Sequence, residues 1–106
     1  MNTPHAISEN RAETYAQWFQ CLADGTRLRI LNFVSLADEP VTVGEIVDAI
    51  GKSQSTVSRH LAILAVDRFV FMETEGVRTL VTANPACMTA LPDAAAEIMG
   101  RAPEAS

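Results

Sequence analysis

Apolar residues return along this chain at helical spacing until about residue 68, and the spacing then changes. Tyr15, Trp18, Phe19 and Leu22 fall at i, i+3, i+4 and i+7 and predict an amphipathic helix from about Glu9 to Ala23. Asp24-Gly25-Thr26 breaks and recaps the chain, and a second helix follows with Leu28, Ile30, Leu31 and Val34 turned inward. Ala37-Asp38-Glu39-Pro40 reads as a loop. Thr42-Val43-Gly44-Glu45 has the form of a capping box, in which Thr42 accepts from the Glu45 N–H and Glu45 reaches back. Val43, Ile46, Val47 and Ile50 continue that helix, and Gly51 ends it. Ser53 is placed to cap the next helix, which extends to about Asp67. Its apolar stripe is Val57, Leu61 and Leu64; Ser55, Arg59 and Ala62 face the other way, with Thr56 and Ser58 on the flanks.

From Phe69 to Thr74 and from Val77 to Thr82 the residues are mostly β-branched and aromatic. Glu75-Gly76 between them reads as a two-residue hairpin loop. A last helix is expected from Asn84-Pro85 to Gly100, kinked or split in two at Pro92. Residues 1–8 and 101–106 lack periodicity and are expected to be flexible tails around one domain at 9–100. The fold class is therefore mainly α with a small β-hairpin.

A chain of 106 residues, 48 % hydrophobic and 20 % charged, has the composition of one small globular domain. No apolar run nears the roughly 18 residues of a membrane span, so no membrane partner is expected. MNTPHAISEN has neither a basic start nor an apolar core, so no secretory signal is expected. The two cysteines form no CxxC pair, which fits a reducing cytoplasm. A zinc site within one chain would need all of Cys21, Cys87, His5 and His60, and their scattered spacing argues against it.

The net charge of −5 argues against a nucleic-acid partner until its distribution is examined. Residues 52–66 hold Lys52 and Arg59 and no acid. A short helix, a tight turn, a polar-faced helix and a hairpin make a winged helix-turn-helix. Lys52, Gln54, Ser55, Thr56, Ser58 and Arg59 are suited to base edges and phosphates of double-stranded operator DNA. Arg78 near the hairpin tip is suited to a phosphate or the minor groove. His60 lies at the edge of the apolar stripe; it either packs on the preceding helix or joins the DNA contacts. A solvated helix face is the bland alternative, but such faces usually carry Glu as well as Lys. Ser55, Ser58 and His60 share one helix with no carboxylate to orient the imidazole, and no Gly-rich phosphate loop is present, so no enzyme is expected.

Residues 22–31, LADGTRLRIL, together with residues 53–61, SQSTVSRHL, resemble the ArsR/SmtB family of bacterial repressors, and the resemblance covers roughly residues 10–100. It implies a homodimer that pairs its first and last helices, sets each SQSTVSRHL helix in a major groove, and leaves its operator when an effector binds. The family's Cys-Val-Cys metal pair is missing: Thr42 and Gly44 stand in those places. The last helix has Cys87, Asp93 and Glu97 but no histidine. No zinc, nickel or cobalt site is therefore expected, and no cofactor is required. Cys21 and Cys87 remain as candidate effector residues. Either they are inert packing, or dimerisation gathers them into a thiol cluster for a thiophilic ion such as trivalent arsenic, or for oxidation. The rival to the repressor is a winged-helix interaction module without DNA binding, which the net charge favours.

Overall fold

The computed structural model describes residues 6–101 and contains five helices and three strands among them. Helix α1 spans Glu9–Leu22 and α2 spans Gly25–Leu36. Strand β1, Val41–Thr42, leads into α3, Val43–Ile50. Helix α4 covers Gln54–Val66, β2 Val70–Glu75, β3 Arg78–Ala83 and α5 Cys87–Ile98. No helix among the described residues is long and apolar enough to cross a membrane.

Local chemistry sets most of these boundaries. Ser8, Asp24, Thr42 and Ser53 each accept a backbone N–H three residues on, at Arg11, Arg27, Glu45 and Thr56. Each bond satisfies one of the donors that a helix start leaves free. Ser8 thus belongs to the fold and not to the expected tail; residues 1–5, with His5, and 102–106 lie outside the described residues. Gly51 stops α3 at φ 77°, a left-handed conformation that costs a side-chain-bearing residue energy.

The sheet is antiparallel in the order β1-β3-β2. Strand β1, within a stretch expected to be irregular and helical, pairs Val41 with Val81 and Thr42 with Leu80. Two residues are too few to show a period; their partners lie some forty positions away. In the hairpin Glu75 pairs with Arg78, so the loop is Gly76-Val77 and not Glu75-Gly76. Gly76 takes φ 66° there, which suits the right-handed twist of the two strands.

The core is formed by α2, α3, α4 and the sheet. Ile30, Ile46, Val57, Leu61, Leu64, Phe69, Val70 and Val81 are essentially fully buried. Leu28, expected inside, is 49 % exposed. At about 100° per residue it sits roughly 120° around α2 from Val34, away from the stripe that Ile30 and Val34 define.

The last helix also differs from expectation. It starts at Cys87, because Pro85 and Ala86 form a turn in which Asn84 Oδ1 accepts the Ala86 N–H at 3.1 Å. It then runs unbroken through Pro92. Pro92 and Met88, whose carbonyl loses its helical partner, are both exposed, so water can satisfy that carbonyl. At the end, Gly100 N–H donates to Glu97 O and Arg101 N–H to Ala96 O, the paired bonds of a Schellman stop.

Candidate nucleic-acid interface

Helices α3 and α4 form the helix-turn-helix, and the bonds that hold them define what is left outside. Thr42 N–H donates to Glu45 Oε1 at 2.8 Å, and Glu45 N–H returns to Thr42 Oγ1 at 3.1 Å, so α3 begins at a reciprocal cap. Arg29 Nη1 donates to Ile50 O at 3.2 Å and ties the end of α3 back to α2. Ser53 then opens α4. Its hydroxyl lies 3.0 Å from Thr56 Oγ1 and 3.2 Å from Ser55 Oγ, giving three hydroxyls at the positive end of a helix with no acid in its first turn.

Lys52, Gln54, Ser55, Ser58 and Arg59 are exposed, and Thr56 is half-buried. Neither Lys52 nor Arg59 makes an ion pair among the described residues. The exposed side of α4 therefore offers amide, hydroxyl and guanidinium groups free of competing carboxylates. Donors and acceptors of this kind read base edges and grip phosphates.

His60 does not belong to that surface. It is buried with Val57, Leu61 and Leu64, one turn on from Val57 on the core-facing side of α4. Its Nδ1 lies 3.1 Å from Arg27 Nη1. A guanidinium only donates, so Nδ1 is the acceptor. His60 is buried while Ser55 and Ser58 are exposed.

Arg27 is the residue that the sequence did not single out. Its Nε donates to Cys21 O at 2.6 Å, its Nη1 to His60, and its backbone N–H to Asp24 Oδ1 at 3.0 Å. One side chain thus joins the end of α1, the start of α2 and the inner face of α4. The Arg27 N–H, in bonding the Asp24 carboxylate, also holds its pKa below the ordinary carboxylate value. Arg27 and Arg29 were visible only as two basic residues inside an apolar string. Nothing local indicated that both point at backbone or buried groups.

In the wing, Arg78 is exposed next to the Gly76-Val77 turn. Its Nη2 meets Glu75 Oε1 at 2.8 Å, with both side chains more than half exposed. Exposed pairs of this kind contribute about 0–1 kcal/mol, little enough for a phosphate to displace the carboxylate.

The two thiols lie on different elements and are free. Cys21 is buried on α1 and points at Ile63 O, 3.8 Å away. Burial, reinforced by nearby Asp67, pushes its pKa up to about 11. Cys87, half-buried at the start of α5, points at Arg68 O, also 3.8 Å away, and burial raises it too. Neither setting favours a thiolate. No three His, Cys, Asp or Glu residues gather as metal ligands among the described residues.

The family model described as "Bacterial regulatory protein, arsR family" matches residues 24–70. The HTH-type transcriptional regulator KmtR of Mycobacterium tuberculosis is 34 % identical over 73 residues, 69 % of this chain and 55 % of KmtR. The chain spans between about half and two thirds of the length of the curated relatives it matches. Among solved structures, NolR from Sinorhizobium fredii is 30 % identical with a TM-score of 0.66, covering 92 % of this chain and 98 % of NolR. The homodimeric winged helix-turn-helix DNA-binding domain of Mb0332 from Mycobacterium bovis is 26 % identical with a TM-score of 0.66, covering 87 % of this chain and 89 % of that one.

Proposed function

The chain belongs to the arsR family of bacterial regulatory proteins, and from that premise we propose that it is a homodimeric, sequence-specific DNA-binding repressor of the cytoplasm, without enzymatic activity. The observation that carries this reading is the outward face of α4. Gln54, Ser55, Ser58 and Arg59, with Lys52 before them, stand exposed and unopposed by acid. Arg27, Arg29 and the capping box fix the helix behind them. An acidic body weakens long-range steering toward DNA but leaves contact at this face possible.

Dimerisation is supported by what α1 and α5 leave uncovered. Phe19, Met88 and Ile98 are exposed on these two helices, and Met99 just past the end of α5. The helices are tied where Tyr15 Oη donates to Glu97 Oε1 at 2.6 Å and Arg11 reaches the same oxygen at 3.1 Å. A two-fold seam there would set two copies of α4 about one helical turn of DNA apart, or a small multiple of it. The environments of Cys21 and Cys87 favour the packing role over the sensor role, so neither arsenite nor a thiol oxidant is expected to release the operator.

Fluorescence anisotropy with genomic fragments at moderate salt tests the proposal. Preferential binding to an imperfect inverted repeat is expected. Arg59→Ala should weaken it by about 1–3 kcal/mol if Arg59 reads a base edge. Equal affinity for every sequence, or none at low salt, would favour the interaction module. Release by arsenite in wild type but not in Cys87→Ser would restore the thiol sensor.

A further inference from the structure

A cleft of about 410 Å³ opens between α2, the 37–40 loop, the end of β3 and the first half of α5. Leu31, Val34 and Phe69 form one wall, and Met88 and Leu91 of α5 the other. A second cleft of about 240 Å³ lies against the same stretch of α5. It shares Phe69, Asn84, Cys87 and Leu91 with the first and adds Trp18. The start of α5 therefore stands between two hollows, on a helix whose first turn has no side-chain cap.

The larger cleft has the size and lining of a small-molecule site, mostly apolar with few polar groups. Its charge is one-sided, the other polar groups of the lining, Ser35, Thr82 and Asn84, being neutral. Asp38 and Glu39 stand exposed at its edge, neither in an ion pair among the described residues, and no Lys or Arg lines it. An apolar body satisfies the walls and a positive head satisfies the edge; an anion of the same shape meets two carboxylates. We propose that this cleft is the effector site of the repressor and that its ligand is a small apolar amine.

The proposal rests on the repressor reading, because the lining connects the parts that reading uses. Thr82 and Ala83 belong to the wing strand, Met88 and Leu91 to the helix assigned to the dimer seam, and Val34 to the core behind the helix-turn-helix. A ligand wedged there changes how α5 rests on the wing root. That gives it different contacts in the DNA-bound and free arrangements, the condition for any ligand to shift such an equilibrium.

The experiment uses the full chain and three spectroscopically silent probes of matched length: octylamine, 1-octanol and octanoate. Trp18, the single tryptophan, reports through its emission from the adjoining cleft, and calorimetry gives the affinities. Octylamine should bind at least tenfold more tightly than octanoate, with 1-octanol between. The Asp38→Asn/Glu39→Gln double variant, altered only on an exposed loop, should bring octylamine level with 1-octanol. Leu91→Phe, which narrows the cleft, should weaken all three. Saturating octylamine should move the operator-binding midpoint at least threefold, and octanoate should leave it in place. Octanoate binding as tightly as octylamine would overturn the proposal, and so would full octylamine affinity in the double variant. No binding at millimolar concentration would overturn it too, as when a second copy fills the cleft. An unmoved operator midpoint would remove the effector role. The DNA titration before amine is added tests the repressor reading separately, and Trp18 reports the amine preference whether or not DNA binds.

Discussion

The stretch from Ile30 to Val81 and the two flanking helices are built on different principles. All the largest fully buried side chains among the described residues lie in that stretch, from Ile30 of α2 to Val81 of β3. Helices α1 and α5 place only Cys21 and Ala94 in the buried class, and Ala94 lies outside the main apolar cluster. They leave Phe19, Met88 and Ile98 exposed, with Met99 just past the end of α5. The described molecule is long for its size, 58 × 26 × 21 Å. The inner stretch thus holds the core, though Leu36, Ile63, Val66, Phe71, Met72 and Val77 remain exposed on it, while the outer helices add little to that core and leave apolar side chains uncovered. A helix seldom holds by propensity alone; most of its stability comes from packing an apolar face. The contrast therefore points to an inner block that supplies the folding core and outer helices whose uncovered apolar side chains are available to a second copy.

Substitution in the inner block should have the largest effect. Phe69 is 2 % exposed, packs in the main cluster and also walls both clefts. Phe69→Ala should cost about 3–5 kcal/mol, a large part of the roughly 5–15 kcal/mol that holds such a domain. Urea denaturation should report it as a lowered midpoint. A loss below about 1 kcal/mol would mean that the block is not the stabilising unit.

An outer substitution should separate assembly from folding. Phe19→Glu on α1 changes a 38 % exposed residue and should leave the chain folded. At the same time it should weaken the dimer at least tenfold, about 1.4 kcal/mol. Sedimentation equilibrium and circular dichroism together test this. An unchanged dimer would move the seam elsewhere, and lost helicity would show that α1 supports the fold directly.

An effect that is nil at neutral pH and emerges only in alkali lies where the two regions meet. The Cys21 pKa rises from the ordinary 9.0 to about 11 on folding, because the folded chain disfavours the thiolate. The stability this confers is complete below pH 9 and is lost as the pH climbs toward 11, since the unfolded chain releases that proton first. Cys21→Ala should flatten the alkaline limb of stability against pH. An unchanged limb would mean that α1 leaves this thiol open to water.

Thr42, Glu45, Gly51, Ser53 and the Val57–Leu61–Leu64 stripe were legible because their physics is local. A cap bonds three residues on, a glycine permits its own φ, and an amphipathic stripe follows from 3.6 residues per turn. The bare side of α4, which carries the functional proposal, was legible for the same reason. Tertiary structure alone decided the rest. Strand β1 exists because Val81 lies beside Val41. The hairpin loop is Gly76-Val77 because the register pairs Glu75 with Arg78. His60 turns inward because the Arg27 guanidinium, 33 positions earlier, supplies the donor that its buried nitrogen needs. Leu28 is left out because one face of α2 is already filled by Ile30 and Val34, and α5 continues through Pro92 because the bond it loses faces water. A short-range bond is specified by the residues that make it; a long-range contact depends on where the remainder of the chain delivers its partner.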